Sequence, residues 1–291
     1  VTGVQTCALP IYAAGASYSP NAPTGDIGLI ANQGGHLNPF VRYGRSYRHP
    51  NLEELFFAGP ATAGSIVPNV NVKPETGNNF DAGVKFNAGR ISGGVYGFLN
   101  QYRNFIVQDQ VVATNSSGPL AQTMNFTNVR ISGVEGNASA PLVSRYGVLM
   151  LNGSAAYTRG TILKGTDPST GKSLENTPAD DITPFKFVGS ARFTDVRNRV
   201  WVEYGIRSQA KIERVAATLL SSPFLIPQDL LALDGITVQR AAAGLNLTQG
   251  AHRARLVFAV ENLTDKYYRE QFQFAPARGR SFTMSLNIGA F

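Results

Sequence analysis

The sequence predicts an all-β chain that forms an antiparallel transmembrane β-barrel, and three observations support this class. First, apolar and polar residues alternate strictly in many segments, as in strands that have one face in lipid and the other in water. Second, only 15% of the residues are charged, below the roughly 25% of soluble domains, although the mean hydropathy is only −0.09. Third, long and short connections alternate between the predicted strands, which is typical of strands that cross a membrane.

The C-terminal hairpin, residues 253–291, shows the alternation most clearly. Between Phe282 and Ile288 every even-numbered residue is apolar and every odd-numbered residue is polar. In the preceding strand, Leu256, Phe258 and Val260 likewise share one parity. No apolar run approaches the roughly 18 residues that a membrane-spanning helix requires. The hairpin therefore predicts lipid-facing strands.

Ten strands and one weaker N-terminal strand are predicted along the chain. The weaker strand covers 26–31, and the others cover 36–43, 80–87, 91–102, 129–140, 146–158, 185–194, 199–206, 236–247 and the two strands of the C-terminal hairpin. Long loops are expected at 44–78, 104–128, 161–184 and 208–235, the first because its prolines exclude a central strand. A soluble β-sandwich also has alternating strands, but it would not sort its connections by length so regularly.

Composition and motifs exclude several other classes of function. The 26 basic and 19 acidic residues give a net charge of +7, but the basic residues are scattered, which argues against a nucleic-acid partner. The sequence lacks the phosphate-binding, dinucleotide-binding, zinc-protease and serine-hydrolase motifs, so neither an enzyme nor a cofactor is expected. The acidic pairs Glu53–Glu54 and Asp180–Asp181 lie in predicted loops and are interpreted as solvated surface.

The first eleven residues, VTGVQTCALPI, are interpreted as the translation of a sequencing-library adapter. The alternative, the remnant of a signal peptide, lacks a basic n-region. Cys7, the single cysteine, falls inside this segment and carries no information about redox compartment. The domain proper is therefore expected to cover residues 12–291.

Four segments of the chain contain recognisable motifs. Residues 45–56 read RSYRHPNLEELF, and residues 67–77 read VPNVNVKPETG. Residues 261–268 read ENLTDKYY, and residues 277–280 read ARGR. In the same order, they resemble the boxes YRAPNLEELF and NPNLKPET and the ending ENLFDKxY…PGR of TonB-dependent outer-membrane receptors. The resemblance covers residues 36–291.

The resemblance implies an integral outer-membrane barrel of about 22 strands that is filled by a plug. This chain would be about the C-terminal half of that barrel, with the plug and the segment that engages TonB upstream. The implied function is active uptake of an iron complex, either a ferric siderophore or haem, by a monomer with membrane lipid and the TonB complex as partners. The alternatives are a receptor for cobalamin, a metal or a glycan, and a passive pore or adhesin.

The candidate ligand-binding residues lie in the first box and are Arg45, Tyr47, Arg48 and His49. His49 replaces the alanine of the family box, and in haem receptors of this family a loop histidine can coordinate the iron. The resemblance thus makes His49 a candidate haem ligand, although it could equally pack at the barrel rim. Tyr47 and the two arginines would suit an anionic ferric chelate by hydrogen bonding and charge.

Two structural expectations follow from the alternation. In the hairpin 185–206 the lipid face should carry Phe185, Phe187, Phe193, Val200, Val202, Tyr204 and Ile206, and the opposite face Lys186, Ser190, Arg192, Glu203 and Arg207. Arg192 and Glu203 should then be ladder neighbours that form an ion pair.

The two ends of the sheet raise a further expectation. The outermost strands should lack partners, which predicts a curved, open or loosely closed sheet with residues 1–11 unpaired. Phe291 is out of phase with the apolar residues of its strand. Either the register slips at Gly289–Ala290 or Phe291 turns away from the lipid.

Overall fold

A computed structural model describes residues 21–290, except 33–35, 62–63, 169, 180–181, 184, 217–233, 249–251, 271–272 and 274. The adapter-like segment, Asp180–Asp181 and Phe291 therefore lie outside the described residues. The elements are β1 (Gly25–Ile30), β2 (Leu37–Arg48), α1 (Leu52–Phe56), β3 (Gly59–Ala61), β4 (Gly64–Val67), β5 (Glu75–Ala88), β6 (Ile91–Asn115), β7 (Gly118–Ser144), β8 (Gly147–Gly165), β9 (Phe185–Asp195), β10 (Val200–Gln209), β11 (Ile236–Thr248), β12 (His252–Glu261) and β13 (Ser281–Ala290).

The strands form one antiparallel meander in which each strand pairs with its neighbours in the chain. The order is β1-β2-β5-β6-β7-β8-β9-β10-β11-β12-β13, and only the short strands β3 and β4 lie off this path. All ten predicted strands are present, and the weaker N-terminal strand exists as β1. The predicted class, an all-β antiparallel sheet, is confirmed.

One face of the sheet is apolar over its whole width, because residues that oppose each other across the ladder share a face. One such row runs through Leu29, Val41, Ala82, Gly97, Val134 and Tyr157. On β13, Phe282 and Ile288 are 76% and 77% exposed. Because exposed apolar side chains at this density are stable only in an apolar medium, this outward face is the lipid-facing one.

The predicted parity of the hairpin β9–β10 is confirmed by its register. Val202 opposes Phe193 on the outward face, and Glu203 opposes Arg192 on the inward face. The carboxylate Oε2 of Glu203 lies 3.7 Å from Nη1 of Arg192, as an ion pair between ladder neighbours requires.

The sheet is open in the part of the chain that the structure describes. β1 and β13 are the two ends of the strand order, and no pairing between them is present among the described residues. The register between β12 and β13 continues without a shift to the pair His252–Ala290. The expected open sheet is therefore confirmed, and the proposed register slip at Gly289–Ala290 is wrong.

Short and long connections alternate along the chain, and the two kinds lie at opposite ends of the sheet. Short turns at 89–90, 145–146 and 196–199 lie at one end, and the long connections 49–74, 166–184, 210–235 and 262–280 lie at the other. We call the second end the mouth. The expected loop at 104–128 is wrong, because β6 and β7 continue through it as a hairpin with its turn at 116–117. The expected loop at 44–78 is also shorter, since β2 extends to Arg48 and β5 begins at Glu75.

Buried apolar clusters lie at the mouth and not between layers of sheet. One cluster packs Leu174 and Ala179 of the connection 166–184 against Val129 and Ile162. A second packs Leu55 of α1 against Val72 and Ile106. These clusters anchor the long connections to the strands. No helix among the described residues is long and apolar enough to cross a membrane.

Candidate functional site

The first box folds into a capped helical turn at the mouth. Asn51 is the N-cap of α1, and its side-chain oxygen accepts a hydrogen bond from the backbone N–H of Glu54 at 2.7 Å. The carboxylate of Glu54 in turn accepts the backbone N–H of Asn51 at 2.8 Å. This capping box begins the helix as soon as β2 has ended.

Arg48 joins the two boxes through an ion triad. Its guanidinium donates two hydrogen bonds to Glu75, at 2.8 and 3.0 Å, and Nη1 donates to Glu54 at 2.9 Å. The side chains of Glu54 and Glu75 are only 6% and 10% exposed. Arg48 lies above the apolar part of β2, and hydrogen bonding to Glu75 raises its pKa far above the usual range. The guanidinium is therefore permanently charged.

The prediction that the pair Glu53–Glu54 is solvated surface is wrong for Glu54. Glu53 is exposed, but Glu54 is buried and paired with Arg48. The spacing Asn51-x-x-Glu54, a capping-box signature, was the sequence signal that could have revealed this role. Glu75 also accepts the backbone N–H of Ile106 at 2.7 Å, so the triad ties β2, α1, β5 and β6 together.

The second box packs against the protruding hairpin of β6 and β7. β4 pairs in parallel with β7, where Ile66 opposes Ala121. Asn69 donates to the carbonyl of Thr123 at 2.9 Å, and Gln122 donates to the carbonyl of Pro68 at 2.8 Å. The connection 49–74 and the hairpin tip are thus one packed unit at the mouth.

Three of the four candidate ligand-binding residues lie on β2 and are divided between its two faces, and His49 follows the end of the strand. Arg48 opposes Glu75 on the inward face, whereas Arg45 and Tyr47 have the outward parity of Tyr43. Tyr47 Oη lies 3.5 Å from His49 Nδ1, and the two rings meet edge to face with centroids 4.6 Å apart. The structure therefore brings Tyr47 and His49 together and separates them from Arg48.

The described residues around the first box do not form a cluster of metal ligands. Among the described residues no group of three or more His, Cys, Asp or Glu side chains is placed to hold a metal ion. His36, the other described histidine side chain, lies 2.8 Å from the carbonyl of Asn87 at the short-turn end. Of the two histidine side chains that the structure describes, His49 is the one at the mouth.

The inward wall carries a ladder of alternating charges across four neighbouring strands. Glu203 lies 3.7 Å from Arg192 and 3.5 Å from Arg240, and Arg240 lies 3.5 Å from Glu261. The guanidinium of Arg192 also lies 3.9 Å from the ring centroid of Trp201. Such groups suit a wet inner face, where water and opposite charges together solvate each ion.

The third motif is a structural turn that joins β12 to its long connection. Asn262 adopts a left-handed conformation with φ 52° and is 3% exposed. Its amide donates to the carbonyls of Lys266 and Arg278 at 2.9 and 3.2 Å, and its oxygen accepts the N–H of Lys266. The motif therefore holds together the two ends of the connection 262–280.

An antiparallel meander with a continuous apolar outer face, a charged inner face and long loops at one end is the wall of a transmembrane β-barrel. The chain belongs to the family of TonB-dependent receptor-like β-barrels, whose family model matches residues 9–263. Barrels of this family are integral to the outer membrane of Gram-negative bacteria, and this is the location of the chain.

Individual relatives agree with the family. The chain is 26% identical over 266 residues to the heme/hemopexin utilization protein C of Haemophilus influenzae strain 86-028NP, covering 84% of this chain and 34% of the relative. The solved structure of the copper transporter OprC matches with a TM-score of 0.71 and 20% identity, over 92% of this chain and 39% of that chain. The FrpB iron transporter of Neisseria meningitidis (F3-3 variant) matches with a TM-score of 0.66 and 16% identity, over 90% and 38%. The chain thus spans about a third of the length of its curated relatives.

Proposed function

We propose that the protein containing this chain imports an iron complex, haem or a ferric siderophore, actively across the outer membrane. The observation that carries the proposal is the mouth, where the ion triad of Arg48, Glu54 and Glu75 fixes both receptor boxes beneath one packed loop unit. The family membership and the name of the curated haem-utilization relative support the same cargo class. Energy coupling through TonB, a plug within the barrel and a monomeric state are parts of the proposal.

His49 is the proposed ligand for haem iron. Its side chain is exposed at the mouth, and the edge-to-face contact with Tyr47 holds the ring in one orientation. A neutral imidazole is a strong iron ligand, and a neighbouring phenol can hydrogen-bond to its second nitrogen or to a haem carboxylate. Arg45 shares the outward parity of Tyr47 and adds positive charge at the outer rim of the mouth. Arg48 is a positioning residue, because its guanidinium is bound by two carboxylates.

Growth of an iron-starved, receptor-deficient host tests the cargo. The full gene product should support growth on haem or on a ferric siderophore as the only iron source. If haem is the cargo, His49→Ala abolishes growth on haem, and the matched variant His36→Gln at the short-turn end leaves it unchanged. Loss of haem growth in both variants, or in neither, would remove His49 from the site.

The alternatives have distinct outcomes in the same host. Failure to use either iron source contradicts the iron assignment and favours a receptor for cobalamin, another metal or a glycan. Growth that persists in a host lacking TonB contradicts active transport and favours a passive pore or adhesin. Each outcome is measured with the wild-type gene product.

A further inference from the structure

Four arginines form an exposed cluster just above the lipid-facing band of the sheet. The register places Arg103 opposite Thr76, Arg130 opposite Gln101 and Arg159 opposite Ser132. These positions have the same parity as the outward residues Phe80, Leu99 and Val134, so the three side chains belong to the outward face. We call these three residues, together with Arg214, the arginine patch.

The patch is contiguous across the neighbouring strands β6, β7 and β8. Arg130 directly opposes Thr161, and Arg159 is therefore its diagonal neighbour. On β6, the ladder partner of Arg130 is Gln101, and Arg103 lies two residues further along that strand. The segment 210–216 contributes Arg214, whose pKa is lowered by burial and by the nearby positive charge of Arg159. The register thus places the three strand arginines at neighbouring outward positions, and Arg214 lies near Arg159.

Among the residues that the structure describes, no carboxylate neutralises the charge of the patch. All four side chains are exposed, and none of them forms an ion pair with a carboxylate of the described residues. The outward residues around them, Asn78, Gln101, Ser132 and Thr161, are all neutral. A cluster of like charges without counter-charges attracts anions.

The position of the patch indicates which kind of anion can reach it. One rung toward the short turns, the outward face carries Val134 and Tyr157, which are 53% and 50% exposed. The cluster therefore lies where a lipid-facing wall meets the headgroup layer, on the side of the long loops. Guanidinium groups bind phosphate oxygens with paired hydrogen bonds. Strands spaced about 4.8 Å apart also spread the three strand arginines over about 10 Å, which suits a headgroup with two phosphates.

We propose that the arginine patch binds the phosphate groups of an anionic lipid in the outer leaflet. The lipid fits because its acyl chains cover the apolar band while its phosphates reach the guanidinium groups. A soluble phosphate compound would use only the second contact. The patch includes none of the candidate cargo residues and does not depend on the identity of the cargo, although Arg103 and Tyr47 both oppose Thr76 in the ladder.

Lipid retention by the full gene product tests the proposal. The protein is incubated with phosphatidylcholine vesicles that contain either bis-phosphorylated lipid A or the same lipid with both phosphates removed. It is then exchanged into a zwitterionic detergent, and bound lipid is counted by native mass spectrometry. We expect retention of the phosphorylated lipid only. Each arginine replaced by glutamine should weaken binding about fivefold, so the triple variant R103Q/R130Q/R159Q loses about a hundredfold.

Controls separate the patch from general charge and from misfolding. Arg90→Gln removes an exposed arginine in the turn at the opposite end of the sheet and should leave retention unchanged. If the triple variant does not fold, the single variant Arg130→Gln replaces it, with the fivefold loss expected. Equal retention of both lipids, or full retention by a folded variant, overturns the proposal. Inorganic phosphate binding to lipid-free protein as tightly as the lipid, and lost in the variants, would instead make this a soluble-anion site.

Discussion

Arg48 and Glu75 oppose each other directly in β2 and β5, and two hydrogen bonds of 2.8 and 3.0 Å join their side chains. The two residues belong to the two different receptor boxes, 27 positions apart. Their pairing closes the base of the connection 49–74, and Glu54 completes the triad from the helical turn between them. The boxes therefore act first as a structural clamp at the mouth.

Removing Arg48 should destabilise this clamp strongly. In Arg48→Met, Glu54 and Glu75 lose their shared counter-charge while they remain mostly buried, which should cost about 3 kcal/mol in free energy of unfolding. The measurement is urea unfolding of the full gene product in lipid vesicles. Arg42→Met is the matched control, because its ion pair with Asp26 is more than half exposed and contributes less than about 1 kcal/mol. Equal losses in both variants would contradict the clamp.

The ion pair of Arg192 and Glu203 should show a small and salt-sensitive coupling energy. Their closest N–O distance is 3.7 Å, and Arg192 is 37% exposed. A double-mutant cycle with Arg192→Gln and Glu203→Gln should give about 0.5 kcal/mol at low salt and less at high salt. The control cycle pairs Arg192 with Glu261, three strands away, and should give no coupling. A coupling that does not change with salt would show that the pair is not electrostatic.

Gly244 is required because Trp201 lies over it. A Cβ atom at position 244 would come within 2.3 Å of the indole atoms Cε2 and Nε1. Gly244→Ala should therefore displace the buried ring and destabilise the protein by about 2 kcal/mol. At Gly153 the nearest atom would be 3.9 Å away, so Gly153→Ala should be neutral or slightly stabilising. Urea midpoints of the two variants compare these effects, and a tolerated Gly244→Ala would contradict the close packing.

Asn262 should control access to the connection 262–280. Asn262→Ala removes the hydrogen bonds to Lys266 and Arg278 and places alanine at a positive φ, so tryptic cleavage after these basic residues should accelerate several-fold. Asn262→Gly keeps the backbone conformation and removes only the hydrogen bonds, so its cleavage rate should be intermediate. Rates that match the wild type in both variants would show that the asparagine does not hold the connection.

The sequence predicted every strand of the meander, because lipid on one side imposes a period of two that is readable from the residues themselves. The prediction failed at 104–128, where β6 and β7 continue past the apolar band. There neither face meets lipid, so residues such as Gln110 and Gln122 give no alternation to read. Pairing of these strands is decided instead by β4 and the polar contacts of the connection 49–74.

The candidate ligand-binding residues remain a prediction, and the structure adds only that they lie at the mouth. The local sequence of the first box placed Arg45, Tyr47, Arg48 and His49 next to one another. It did not show that β2 continues to Arg48, and strand geometry then sends successive side chains to opposite faces. The role of Arg48 depends on Glu75, a partner that no local pattern identifies.

The sequence alone thus determined the class of protein, the succession of the meander strands and the parity of the lipid-facing segments, because these depend on neighbours within a few residues and on the boundary between lipid and water. Only the tertiary structure decided which charged groups meet. It joined Arg48 to Glu75, placed the Arg192 guanidinium over Trp201, and gathered Arg103, Arg130 and Arg159 on one outward surface. These contacts follow from the register between strands, and register brings together residues that are far apart in the chain.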